Sequence, residues 1–130
     1  MGKTHGNDLI AEFNYIHEVG KESDDQGGFD LYLNPSMRGL VMRYNYWQDI
    51  QGGTHYGVAG IRLDDLITGV QIYGNVFERC GSREFGAVQI HGGSENMIED
   101  NLFFDCPMVA SVAPYDVKEW HETYDSIHRI

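Results

Sequence analysis

Apolar and polar residues alternate with a period of two in three short runs, "GFDLYL" at 28–33, "GIRLDD" at 60–65 and "AVQIHG" at 87–92. That period sends successive side chains to opposite faces of an extended chain, so each run reads as a strand. Aligned with one another, the runs put Phe29, Ile61 and Val88 in one inward column and Leu31, Leu63 and Ile90 in the next. A second pattern is interleaved with the first. The segments "AEFNYIHEV", "MRYNYWQDI", "IYGNVFERC" and "IEDNLFFDC" share an asparagine, Asn14, Asn45, Asn75 and Asn101, at steps of 31, 30 and 26 residues. Apolar residues precede it by three (Ala11, Met42, Ile72, Ile98), follow it by two (Ile16, Trp47, Phe77, Phe103) and follow it by five (Val19, Ile50, Cys80, Cys106).

Period-two strands nested in a longer repeat, within the range of about 20 to 50 residues, mark a solenoid whose coils stack their strands in parallel. Each coil then adds one rung, about 4.8 Å along the axis. The asparagine belongs at a corner, because Asn tolerates left-handed backbone angles and stacked Asn amides can hydrogen-bond along the axis. Near the C-terminus the period changes. In "DVKEWHETYDSIHRI", Val117, Trp120, Tyr124 and Ile127 recur at helical spacing, and Asp116 with Glu119 forms a capping box. This predicts an amphipathic helix over about 116–128, laid over the last coil.

The stretches "YNYWQDI", "GIRLDD", "YGNVFERC" and "IHGGSENMIEDNLFFDC" resemble the repeats of the right-handed parallel β-helix superfamily of pectate lyases and polygalacturonases. The resemblance covers about residues 6–115 and implies an all-β right-handed parallel β-helix of about four coils, fewer than such proteins usually have. It also implies a polysaccharide or oligosaccharide partner and glycoside hydrolase or polysaccharide lyase chemistry. Fold alone does not carry an activity, so the site residues must be argued separately.

Length and charge narrow the picture. A chain of 130 residues with no linker-like composition shift is expected to form a single domain, residues 1–130. Nine Lys and Arg against twenty Asp and Glu give a net charge of −11, which argues against nucleic acid and anionic membrane surfaces and favours a neutral or cationic partner. Apolar runs fall far short of the roughly 20 residues of a membrane span. The opening "MGKTHG" lacks the apolar core of a secretory signal, so no export address is expected in this chain and its location stays open. It also offers no obvious cap for the first coil, which would leave an open end for homo-oligomerisation. Cys80 and Cys106 share an inward column; the spacing allows a disulfide, and buried free thiols are the expected state.

Stacking the coils gathers the outward residues into rows: Asp30, Arg62 and Gln89 in one, Tyr32, Asp64 and His91 in the next. The bordering loops "GKESDDQGG", "QGGTHYG" and "GSREFG" add His55, Tyr56, Arg83 and several carboxylates to the same side. Glycoside hydrolysis needs two carboxyl groups flanking the bond. Asp30 and Asp64, one rung apart and offset by two residues, are at a separation of roughly 8 Å between α-carbons from strand spacing, compatible with an inverting pair. The "DD" of Asp64 and Asp65 followed by "IHGG" loosely resembles the polygalacturonase order of paired aspartates and a histidine-glycine motif. That resemblance implies Asp64 and Asp65 as acid and water-activating base with His91 tuning them, although neither "NTD" before the pair nor "RIK" after the histidine is present.

Each residue also has a plainer reading. A double aspartate at a strand end is commonly a turn-former whose carboxylates bind nearby amides. Arg62 could abstract a proton as the lyase resemblance implies, or simply pair with Asp30 or Asp64. Arg62, Tyr32, Gln89, His55 and Arg83 are candidate substrate-binding groups. Asp24 and Asp25 lack the DxDxDG spacing of a calcium loop, so no metal is expected, calcium being the one ion the carboxylate-rich loops leave open. Trp47 falls in an inward column and reads as core, while His17, His121 and His128 read as surface or interface residues. A noncatalytic carbohydrate-binding or surface-recognition module, and a truncated, self-associating β-helix segment without activity, are the alternatives to an enzyme.

Overall fold

The structure is a computed structural model that describes residues 8–35 and 38–128, with the side chain of His128 left aside. The expectations for "MGKTHG", for the start of the first coil and for the surface role of His128 lie outside the described residues. Among the described residues, twelve short strands wind through four rungs. The first holds β1 (Ile10–Glu12), β2 (Tyr15–His17) and β3 (Gln26–Leu31), and the second β4 (Val41–Arg43), β5 (Tyr46–Ile50) and β6 (Val58–Leu63). The third holds β7 (Gln71–Tyr73), β8 (Val76–Cys80) and β9 (Val88–His91), and the fourth β10 (Met97–Glu99), β11 (Leu102–Phe104) and β12 (Ala110–Ala113). Three sheets result, ordered β1-β4-β7-β10, β2-β5-β8-β11 and β3-β6-β9-β12, and every pairing within them is parallel. The path from β1 to β10 makes three complete turns of a parallel β-solenoid, and the fourth rung closes on it.

The register is the one the repeat demands. Ala11, Met42, Ile72 and Ile98 are successive partners, as are Ile16, Trp47, Phe77 and Phe103. Phe29 pairs Ile61 and Ile61 pairs Val88; Leu31, Leu63 and Ile90 line up likewise. Met42, Trp47, Ile50, Ile61, Leu63, Ile72 and Phe77 are buried in the core. Trp47 and Phe77 stack at 5.9 Å, and Phe77 and Phe103 at 5.0 Å, so the aromatic rings follow the axis.

The asparagines form a ladder at one corner. Backbone N and Nδ2 of Asn14 both donate to Asn45 Oδ1, those of Asn45 to Asn75 Oδ1, and those of Asn75 to Asn101 Oδ1, at 2.9 to 3.1 Å. Each Nδ2 beyond the first rung also reaches a carbonyl one rung back, as Asn75 does to Met42 at 2.9 Å. The expectation that the asparagines themselves adopt left-handed angles is corrected. The left-handed residue is the one before each, Phe13, Tyr44, Gly74 and Asp100. That placement frees the asparagine backbone N–H and amide to point along the axis together.

The predicted helix is present as α1 (Val117–His128). Its capping box is closed: Glu119 N donates to Asp116 Oδ1 at 2.8 Å, and Asp116 N to Glu119 Oε2 at 3.0 Å. Its expected position over the last coil is not what forms. Among the described side chains of α1 none is buried, Val117 being 76% exposed, and Trp120 stacks on its own helix at Tyr124. Tyr115, just before the helix, bonds Asp65, and Phe103 and Cys106 on the last rung stay half-buried. Cys80 and Cys106 are both free thiols. No described helix is long and apolar enough to cross a membrane.

Candidate functional site

The outward rows of the β3-β6-β9-β12 sheet come together as the alternation implies. Asp30 partners Arg62 and Arg62 partners Gln89, while Asp64 and His91 follow the next paired positions, Leu63 and Ile90. Arg62 is the centre of a charge cluster. Its Nη2 lies 2.7 Å from Asp64 Oδ2 and 2.8 Å from Asp25 Oδ1; its Nη1 lies 3.4 Å from Asp30 Oδ2 and donates to the Asp25 carbonyl at 2.8 Å. The guanidinium also sits 5.6 Å from the Phe85 ring centroid. Arg62 therefore occupies the space between the Asp30 and Asp64 carboxylates, where an inverting mechanism would need a water. Burial pushes the Asp30 carboxyl above its usual range, although Arg62 and the Gly27 N–H oppose the shift.

Asp64 carries a second bond. Its Oδ1 lies 2.8 Å from His91 Nδ1. A carboxylate only accepts, so the proton sits on Nδ1 and the other ring nitrogen, Nε2, is left for further chemistry. Asp65 Oδ1 is 3.5 Å from the same Nδ1 and accepts the hydroxyl of Tyr115. The Tyr115 ring packs edge-on against His91 with centroids 4.6 Å apart. Burial, with the Asp65 hydrogen bond adding to it, holds the Tyr115 hydroxyl above its usual range. The turn that bears the two aspartates is strained, because Asp65 and Leu66 are both left-handed, at φ 45° and 70°. Leu66, Ile67 and Val70 are buried beneath it, and Leu33 N and Leu66 N bond the carbonyls of Asp65 and His91, which holds the turn in place. The double aspartate thus does turn the chain, and the turn aims both carboxylates at one imidazole.

Asp25, Arg62, Asp64, Asp65 and His91 line a cleft of about 460 Å³ with Tyr56, Glu84, Phe85 and Gln89 along its walls. No protein-family model, curated protein or solved structure matches the chain. The geometry of the cleft is what bears on function.

Among the described residues, Asp64, Asp65 and His91 form a group whose donor atoms lie within 4.8 Å of one another, as a metal site would require. An imidazole with two carboxylates suits a transition metal and not calcium, which takes six to eight oxygens. The loop carboxylates fit calcium no better. Asp24 accepts from Gly57 N at 2.8 Å and Tyr56 N at 3.3 Å, bonds that hold it below its usual range, and Asp25 is committed to Arg62.

Other expected residues lie elsewhere. Arg83 donates from Nε to the Gly53 carbonyl at 2.8 Å, His55 packs edge-on against Tyr56, and Tyr32 is exposed; none of the three lines the cleft. Gln89 does line it and is 4% exposed. Two residues of the site escaped sequence reasoning, Tyr115 and Phe85. Tyr115 had a faint signal: Ala113 is the partner of His91, and a residue two further on shares its face.

Proposed function

We propose that this protein is a carbohydrate-active β-helix that seats a saccharide in the cleft over β6 and β9 and cleaves a glycosidic bond there. The observation that carries the reading is the 2.8 Å contact between His91 Nδ1 and Asp64 beside a second carboxylate, Asp65, in one cleft. Asp64 positions the ring and stabilises the imidazolium, the part an aspartate plays behind a catalytic histidine. With His91 starting as the imidazolium, its Nε2–H protonates the glycosidic oxygen as the carbon–oxygen bond breaks and leaves the ring neutral with its proton on Nδ1. Asp65 takes a proton from the water that adds to the anomeric carbon, and the proton that Asp65 gained passes to His91 Nε2, restoring the carboxylate and the imidazolium. Asp30 and Arg62 support the wall of the cleft as an ion-pair cluster. A noncatalytic binding module is the second reading, favoured by the engagement of both Asp64 oxygens, one by Arg62 and one by His91.

The test is turnover of a broad panel of glycans by the wild-type chain, Asp64→Asn and His91→Gln. Asp64→Asn should lose about 10²- to 10⁴-fold in kcat with little change in KM, since the tautomer and the imidazolium are both disfavoured. Binding without turnover moves the assignment to the binding module. Turnover that survives His91→Gln unchanged would sink the proposed mechanism.

A further inference from the structure

The cleft presents carboxylates and acceptors, with little positive charge to offer. Among the described residues, Asp25, Asp64, Asp65 and Glu84 line it, against one guanidinium, Arg62, and one imidazole, His91, whose Nδ1 is already held by Asp64. That guanidinium is not available to an anion. Its side chain is 12% exposed, and Asp25, Asp30 and Asp64 already surround it. An acidic ligand would meet a field of its own sign with the neutralising cation already taken.

An independent observation points to what the ligand must carry. Gln89 is nearly fully buried and lines the cleft, yet its Oε1 has no hydrogen-bond partner among the described residues. Arg62 Nε is unpartnered as well, and the two residues are direct partners across β6 and β9. One orphan is an acceptor and the other a donor. Hydroxyl groups, which both donate and accept, suit a cleft whose wall carries an unpaired acceptor and an unpaired donor. Ammonium and amide N–H groups would likewise find acceptors in Gln89, Glu84 and Asp65.

We infer that the cleft takes a donor-rich saccharide without acidic groups, neutral or amino-substituted, and rejects uronates; the inference rests on the carbohydrate reading above. It carries a consequence for the reaction class. β-Elimination withdraws the proton beside a uronate carboxylate and needs a cation to neutralise that carboxylate. A cleft that rejects uronates therefore works by hydrolysis.

The experiment is calorimetric binding of matched oligosaccharide panels to the wild-type chain at low and high salt: neutral hexose oligomers, glucosamine oligomers and galacturonate oligomers. Galacturonate oligomers should bind at least about tenfold more weakly than the best neutral oligomer at low salt, one like-charge contact in a partly screened cleft. Added salt should narrow that gap and weaken glucosamine binding, a readout that needs no variant. Asp25→Asn with Asp30→Asn removes two of the three carboxylates around Arg62 and should raise galacturonate affinity about tenfold. Galacturonate binding equal to or tighter than neutral binding overturns the inference and leaves the carbohydrate reading standing. Binding of no oligomer from any panel overturns the carbohydrate reading itself.

Discussion

Replacing Asn75 with alanine removes the middle of the asparagine ladder, and the cost can be worked from its contacts. Asn75 is 1% exposed, so water cannot take over its bonds. Its Oδ1 accepts from Asn45 N and Asn45 Nδ2, each at 3.0 Å, and its Nδ2 donates to Met42 O at 2.9 Å and Asn101 Oδ1 at 3.0 Å. The substitution leaves the Asn45 N–H without its partner and takes one bond from Asn45 Nδ2 and one from the Met42 carbonyl. A buried polar group left unsatisfied costs about 1–3 kcal/mol, and Asn45 Nδ2 keeps its bond to Ala11, so about 4 kcal/mol is expected for the whole change. For a chain of this length that corresponds to a fall of about 15 °C in Tm. Asn14 is the control. It sits in the same column on the first rung, exposed, and its side chain donates to Asn45 Oδ1 and the Glu12 carbonyl, so its alanine variant should cost only about 1 kcal/mol. Urea unfolding followed by far-ultraviolet circular dichroism gives both values. Equal costs for the two variants, or a cost below about 1 kcal/mol for Asn75→Ala, would refute the claim that the ladder holds the rungs in register.

The two tryptophans should behave differently. Trp47→Ala opens a hole beside Phe77 and should cost about 3–5 kcal/mol, whereas Trp120→Ala on the exposed helix should cost under about 1 kcal/mol by the same assay. Burial pushes the Cys80 thiol up to about 12, so stability should be full at neutral pH and fall as pH climbs from the ordinary thiol range toward that value. Cys80→Ala should flatten that alkaline decline; an unchanged decline assigns it to other groups. The Asp24 carboxylate is held low by the amides of Gly57 and its neighbours, so its contribution is present above the ordinary carboxylate range and lost as pH falls through its lowered value. Asp24→Asn should therefore reduce the acid sensitivity of stability, and a titration curve identical to the wild type counts against this.

Where the chain repeats, the sequence could be read in detail. A parallel rung sets each residue above its counterpart one coil back, so finding the asparagine columns also fixed Asp30 beside Arg62 and brought Asp64 to His91. Direction is what the repeat does not encode elsewhere. His55 and Arg83 lie in loops, where side-chain orientation follows local hydrogen bonds such as the one from Arg83 to Gly53, and period two says nothing about them. The corner geometry was misread by one residue because a left-handed angle leaves no trace in hydropathy, and Phe13, Tyr44 and Asp100 are not residues that advertise it. The helix was legible as a helix from its period and cap. Its docking was not, since an apolar stripe states a need for cover without naming the surface that meets it.

The members of the site are strung out along the whole solenoid. Asp25 precedes β3 in the first rung, Arg62, Asp64 and Asp65 belong to the second, His91 to the third, and Tyr115 follows the fourth. Solenoid rungs hold one another only as neighbours and can open from either end while the middle stays closed. Fraying of an outer rung would thus silence the cleft long before the chain as a whole unfolds. The same arrangement separates two fates over evolutionary time: a copy of the first coil inserted between the second and third rungs would extend the asparagine ladder without interruption, yet it would part Asp64 from His91 by a full rung and erase the site in one step.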